Sequence, residues 1–128
     1  TGDEPLSIVQ LLGKVDGAIV VTTPQDVALT SVRKSLKFTE MLEVPVIGMV
    51  ENMSGVICPH CNEEIQVFGG ESVEKAANDF NTPILATLPI EPDVSSSGDK
   101  GDAYVNDDKS IWKEKFDLIV NSVEEKFN

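Results

Sequence analysis

Histidine, tryptophan and tyrosine each occur once in the 128 residues, and cysteine occurs twice. With His60 as the single imidazole and no suitably patterned partner for Ser54, no nucleophile–base pair can be assembled. Two cysteines do not make the disulfide framework of a small secreted domain, so a reducing cytoplasm is the expected compartment. Positive charge is scarce too: 10 Lys and Arg stand against 22 Asp and Glu, a net charge of −12. Duplex nucleic acid and anionic membrane both require a basic face, so neither is expected as a partner. The acidity serves solubility. No apolar run approaches the ~18–20 residues that span a bilayer, and no signal-peptide pattern is read. A phosphate loop of the G-x-x-x-x-G-K-[ST] kind is missing, and Gly69-Gly70 is not one. The first residue is Thr1 rather than Met, as expected of a processed product or a fragment.

What is present reads as one globular domain, with 41% hydrophobic and 25% charged residues. The organising stretch is Val46 to Cys61. Val46-Ile47-Gly48-Met49-Val50 is a short apolar run, expected as a strand buried on both faces and ended by a polar turn at Glu51-Asn52. Before it, a helix is expected over Pro5–Leu12, stopped by Gly13, and a second buried strand over Ala18–Thr22, ended by Thr23-Pro24. Asp26 opens a helix running to about Leu42 with Val27, Val32, Leu36 and Met41 inward. After the cysteines come a short hairpin arm over Glu63–Phe68, a helix over Ser72–Phe80, and a strand from Pro83 to Leu88 closed by Pro89. Asp93–Asp102 shows no periodicity and is read as a mobile loop with room for one helical turn. Asp108–Phe127 is the last helix, with Ile111, Phe116, Ile119, Val120 and Val123 inward and Trp112 at the edge of that face. Helices and strands that alternate at this spacing make βαβ units and a parallel sheet. Three strands are few for a doubly wound sheet, and such a sheet usually starts with a strand and a phosphate loop. The chain therefore reads as the second half of a larger unit.

Cys58-Pro59-His60-Cys61 is the sharpest chemical signal. Two thiolates three positions apart on a tight turn can grip one soft metal. Structural zinc and a [4Fe–4S] cluster each take four ligands. This chain offers two, so a complete four-thiolate site requires a second chain. A thiol redox pair and a pair without function are the other readings; redox pairs normally open a helix, and Asn62-Glu63-Glu64-Ile65 does not look like one. His60 reads as a solvent-facing turn residue. Asn52, at a strand end, is either a cap for its turn or an amide aimed at a ligand beyond the sheet. Gln25, after Thr22-Thr23-Pro24, is equally ambiguous.

Together these stretches resemble the Mrp/ApbC-type iron–sulfur carrier ATPases, a branch of the MinD-like deviant P-loop NTPases. Thr1-Gly2-Asp3 resembles the end of that family's D-x-P-P-G-T-G-D segment. Ala18 to Leu29 resembles its TTPQ strand and helix start, and Val50-Glu51-Asn52-Met53-Ser54 followed by Cys58-Pro59-His60-Cys61 resembles its VENMS…CPxC signature. The likeness continues through Phe68-Gly69-Gly70 and Leu88-Pro89-Ile90-Glu91-Pro92 and covers Thr1 to about Val105.

The resemblance implies an α/β fold, the C-terminal half of a Rossmann-like, three-layer P-loop NTPase domain with a mostly parallel sheet. Residues 1–128 would form one partial domain without its phosphate-loop half, with a Cys-containing insert over 55–68 and a C-terminal helix over 106–128. It implies a carrier or scaffold in cluster assembly. Cys58 and Cys61 would share a labile [4Fe–4S] cluster with a second copy in a homodimer and pass it to apo iron–sulfur proteins. Asn52 would face the adenine of ATP with Pro89 and Ile90 near it, and Asp3 and Gln25 would lie on the side of the phosphates and Mg²⁺. Zinc at the same cysteines, in a stapled interaction module, is the alternative cargo. Two departures stand out. The N-terminal half with the phosphate loop is absent, so this chain alone is expected to be inactive as an ATPase. An Asp commonly found six residues after the Gln is here Ser31.

Overall fold

The computed structural model describes residues 3–69 and 72–128. Thr1, Gly2 and Gly70, which carry part of the resemblance, lie outside them. The element order is α1 (Glu4–Leu12), β1 (Ala18–Thr22), α2 (Asp26–Met41), β2 (Val46–Ile57), β3 (Glu64–Ile65), α3 (Val73–Asp79), β4 (Ile84–Ile90), α4 (Pro92–Lys100), a 3₁₀ turn (Tyr104–Asn106) and α5 (Lys113–Phe127). Among the described residues no helix is long and apolar enough to cross a membrane.

β2 is the axis of the sheet. β1 pairs with it in parallel on one side and β4 in parallel on the other. The two-residue β3 pairs antiparallel with its far end. Val56 is the partner of both Ile65 and Ile90, so β3 and β4 flank it on opposite sides. α2 and α3 cover one face, where Leu29, Val32, Leu36, Met49, Val73, Ala76 and Ala77 form the core. Arg33 Nη1 ties the two helices together through Asp79 Oδ2 at 2.6 Å. α5 packs against β4 and β2. The result is an α/β domain with a mainly parallel sheet, as expected.

Several boundaries differ from the sequence expectation, each for a physical reason. β2 does not stop at Val50: it runs through Glu51 and Asn52 to Ile57, because β1, β4 and β3 supply ladder partners that hydropathy cannot register. Nor does Pro89 close β4, which continues to Ile90. A proline lacks the ladder donor, but β4 is an edge of the described sheet and its outward side needs none. β1 is not buried on both faces, since Val21 is 60% exposed and no described strand pairs with its outer edge. In α2 the inward stripe is Leu29, Val32 and Leu36, whereas Val27 (82% exposed) and Met41 (80% exposed) point outward. Val27 lies about 200° around the helix from Leu29, so one stripe cannot contain both.

The expected loop at Asp93–Asp102 is largely the helix α4. Glu91 accepts from the Asp93 amide, Pro92 sits in the first turn, and Gly101 ends it in a left-handed conformation at φ 76°. These are local start and stop signals that outweigh a weak apolar pattern. α5 starts at Lys113 rather than Asp108, with Ile111 and Val120 exposed. α1 stops at Gly13, φ 72°, as the sequence indicates.

Candidate metal centre

The cysteines are carried where β2 leaves the sheet. The Cys58 amide donates to the Glu63 carbonyl at 2.9 Å, and the Asn62 amide donates to the Cys58 carbonyl at 2.9 Å. Asn62 adopts φ 59°, the left-handed conformation that Asn tolerates in tight turns. The expected hairpin arm is thus real but short, since only Glu64 and Ile65 pair back onto Ile57 and Val56. Gly55 makes the close return possible. A Cβ there would stand 2.8 Å from both Glu64 Oε1 and the Ile65 carbonyl. Ser54 Oγ adds a hydrogen bond to Glu64 Oε1 at 3.2 Å.

Amide donation from Cys61 first, then from His60, and a contact with the Cys61 thiol lower the Cys58 thiol below its usual value. A turn that favours the thiolate and holds a second sulfur within hydrogen-bonding reach suits a soft cation or cluster. Cys58 is half-buried and Cys61 exposed, and both are free. His60 is exposed. Among the described residues no group of three or more His, Cys, Asp and Glu side chains comes together as a metal site. The donor set is therefore two sulfurs, which fits half of a four-thiolate site.

Asn52 lies on β2, six positions before Cys58, which follows the end of that strand at Ile57. In the parallel register it pairs with Leu88, so Pro89 follows its partner directly, while the register then shifts and Ile90 stands beside Val56. Of the residues singled out by sequence, Asn52 and Pro89 are thereby brought onto adjacent strands at neighbouring positions. Asn52 also lines a cavity of about 400 Å³ with Val21, Thr22, Thr23, Ala28, Ser31 and Ser35. The departure Ser31 therefore places a hydroxyl, not a carboxylate, on that wall. Gln25 is the exposed residue preceding α2 and its side chain makes no cap bond. Asp3 precedes α1, also exposed and without a side-chain cap bond. No described contact joins Asp3 or Gln25 to Asn52.

Sequence reasoning missed Glu51. It lines a cleft of about 330 Å³ with Pro24, Ser54, Gln66, Phe68 and Glu74, between the cysteine arm and α3. Burial first, then the charges of Glu64 and Glu74, raise its carboxyl above the usual range. The available signal was a carboxylate continuing an apolar strand run. Trp112 was read as an edge residue, yet its indole Nε1 donates to the Pro89 carbonyl at 3.0 Å.

A family model described as ParA: NUBPL iron-transfer P-loop NTPase matches residues 1–124. An iron-sulfur cluster carrier protein of Methanocaldococcus jannaschii is 41% identical over 126 residues, 98% of this chain and 43% of that protein. One from Methanococcus maripaludis is 36% identical over the same shares. The chain thus spans under half the length of these relatives. Among solved structures, a nucleotide-binding protein of Archaeoglobus fulgidus in complex with ADP, with Co found in it, superposes with a TM-score of 0.67 at 33% identity, over 78% of this chain and 41% of that one. The cell division ATPase MinD of Pyrococcus furiosus superposes with a TM-score of 0.64 at 21% identity, over 86% of this chain and 43% of that one, a likeness of fold alone.

Proposed function

Because the chain belongs to the ParA family of NUBPL-type iron-transfer P-loop NTPases, we propose that it is the cargo-holding portion of an iron–sulfur cluster carrier. The observation that carries this reading is the Cys58–Cys61 turn, closed by backbone hydrogen bonds and carrying two free thiols just past the strand that bears Asn52. The relatives' description as cluster carriers supports it. The cargo is a labile [4Fe–4S] cluster shared between the cysteine pairs of two copies, four thiolates in all. The recipients are apo iron–sulfur proteins, and the compartment is the reducing cytoplasm. Exposure of Cys61 suits a cluster that has to leave.

The nucleotide half of the proposal is that Asn52, Pro89 and Ile90 border the adenine of ATP, while Asp3 and Gln25 approach its phosphates and Mg²⁺. The ADP complex of the Archaeoglobus protein supports a nucleotide in this fold. The backbone cradle and lysine that phosphoryl transfer needs would come from a phosphate-loop half outside these 128 residues. ATP turnover by this stretch alone is accordingly expected at background.

Anaerobic reconstitution with iron and sulfide tests the cargo reading, with zinc as the competing occupant. A brown protein containing iron and acid-labile sulfide in equal amounts supports the cluster. A colourless protein that takes up only Zn²⁺, which is d¹⁰, overturns it in favour of a zinc-stapled module.

A further inference from the structure

The side chain of Trp112 joins three segments that are distant in sequence. Its indole Nε1 donates to the Pro89 carbonyl at the outward edge of β4, 3.0 Å away. Its ring meets Tyr104 of the 3₁₀ turn edge-on, with centroids 6.2 Å apart, and stacks on Phe116 of α5 at 5.9 Å and 18°. The backbone beneath is held as well. The Trp112 amide donates to Ser110 Oγ at 3.1 Å, and its carbonyl accepts from the Phe116 amide at 2.8 Å. Ser110 is buried. The indole is therefore held at both its polar and its apolar sides, with Phe116 stacked on one face.

We propose that Trp112 is a positioning residue for the nucleotide base, acting through Pro89. This rests on the nucleotide reading above. β4 ends at Ile90 and the chain runs on through α4, and after it Tyr104 of the 3₁₀ turn meets the Trp112 ring. The Leu88–Asn52 register sets Pro89 next to the strand partner of the amide proposed to read the base. On β4's outer side the Trp112 hydrogen bond fixes the Pro89 carbonyl. Breaking it without a replacement leaves that acceptor unsatisfied and loosens the Pro89 segment that the nucleotide reading sets at the base. On that reading the base depends on this segment, and the phosphates lie on the side of Asp3 and Gln25.

The test uses the full-length protein that contains this segment, with ADP and inorganic tripolyphosphate as probes of the base and phosphate sides. Trp112→Phe keeps an aromatic ring and removes the N–H donor. It is expected to weaken ADP about fivefold, the loss of one neutral hydrogen bond, and to leave tripolyphosphate unchanged. Phe116→Leu removes the stacking partner but keeps the donor, and is expected to retain ADP affinity. Equal weakening of both probes, an unchanged ADP affinity in Trp112→Phe, or the same loss in Phe116→Leu overturns the proposal. A wild type that binds tripolyphosphate but no ADP removes the base-binding reading itself.

Discussion

The amide of Cys58 donates to the carbonyl of Glu63 across 2.9 Å, closing the turn that holds both thiols. The turn is held at its neck, while Pro59, His60 and Cys61 at its tip are exposed. Replacing one thiol therefore removes a ligand without removing a fold contact. Cys58→Ser or Cys61→Ser is expected to abolish cluster loading while leaving the thermal midpoint of the metal-free protein nearly unchanged. Iron and sulfide analysis with solution mass checks this. Wild type should hold about four irons per two chains, the content of one shared cluster. Full loading of a strict monomer contradicts the shared site.

Gly55 is the residue on which the arm's return depends. Any Cβ there meets Glu64 Oε1 and the Ile65 carbonyl at 2.8 Å. The side-chain oxygen can move, but the carbonyl is backbone of β3, paired to Val56. Gly55→Ala should therefore push β3 off β2 and cost about 1–3 kcal/mol, as overpacking does. Urea unfolding measures the cost, and weakened Zn²⁺ binding by Cys58 and Cys61 reports the displaced arm. Wild-type stability and metal affinity together would show that the arm moves freely over this site.

The Glu51 carboxyl is raised by burial and by Glu64 and Glu74. A carboxyl raised on folding favours the folded state while protonated. That contribution is complete below the unfolded value near 4.5 and is lost as pH rises through the folded value. At neutral pH the ionised group is a burden, so Glu51→Gln should stabilise there and lose its advantage in acid. Glu51 remains partly open to solvent, which screens the effect, and the gain should stay within about 0.5 kcal/mol. Denaturant titrations at pH 7 and pH 4 test the sign. A Gln variant less stable at pH 7 than at pH 4, relative to wild type, reverses the reading.

The β1 span, the helix stop at Gly13 and the alternation of elements were legible in the sequence because each depends on near neighbours. The cysteine pair was legible for the same reason. Pairing was not. Whether Glu51 and Asn52 turn or continue depends on Thr22, Thr87 and Leu88 lying opposite them, at sequence separations no local pattern records. Pro89 inside β4 and Trp112 above it were misread together. A proline ends a central strand but not an edge, and only the tertiary fold says which it is. α4 was hidden by its serines, although Glu91-Pro92 and Gly101 marked both of its ends.

Val21 gives the last prediction. It sits on β1 with 60% of its surface exposed, beside an outer edge that no described strand pairs with. On α1, Leu11 is 86% exposed. A parallel strand of this kind is ordinarily covered and flanked, and a bare edge offers unpaired backbone groups to another chain. These 128 residues on their own should therefore self-associate reversibly in the absence of metal. Sedimentation velocity over a range of concentrations detects this as a rising average mass. Val21→Lys places a charge where the edge would be approached and should shift the population toward monomer. Because the side chain is largely in water, the same substitution should alter unfolding stability by no more than about 0.5 kcal/mol. The association should also survive Cys58→Ser, which separates it from any dimer held by a cluster. A protein that stays monomeric at every concentration would mean that the β1 edge is already protected by its own chain.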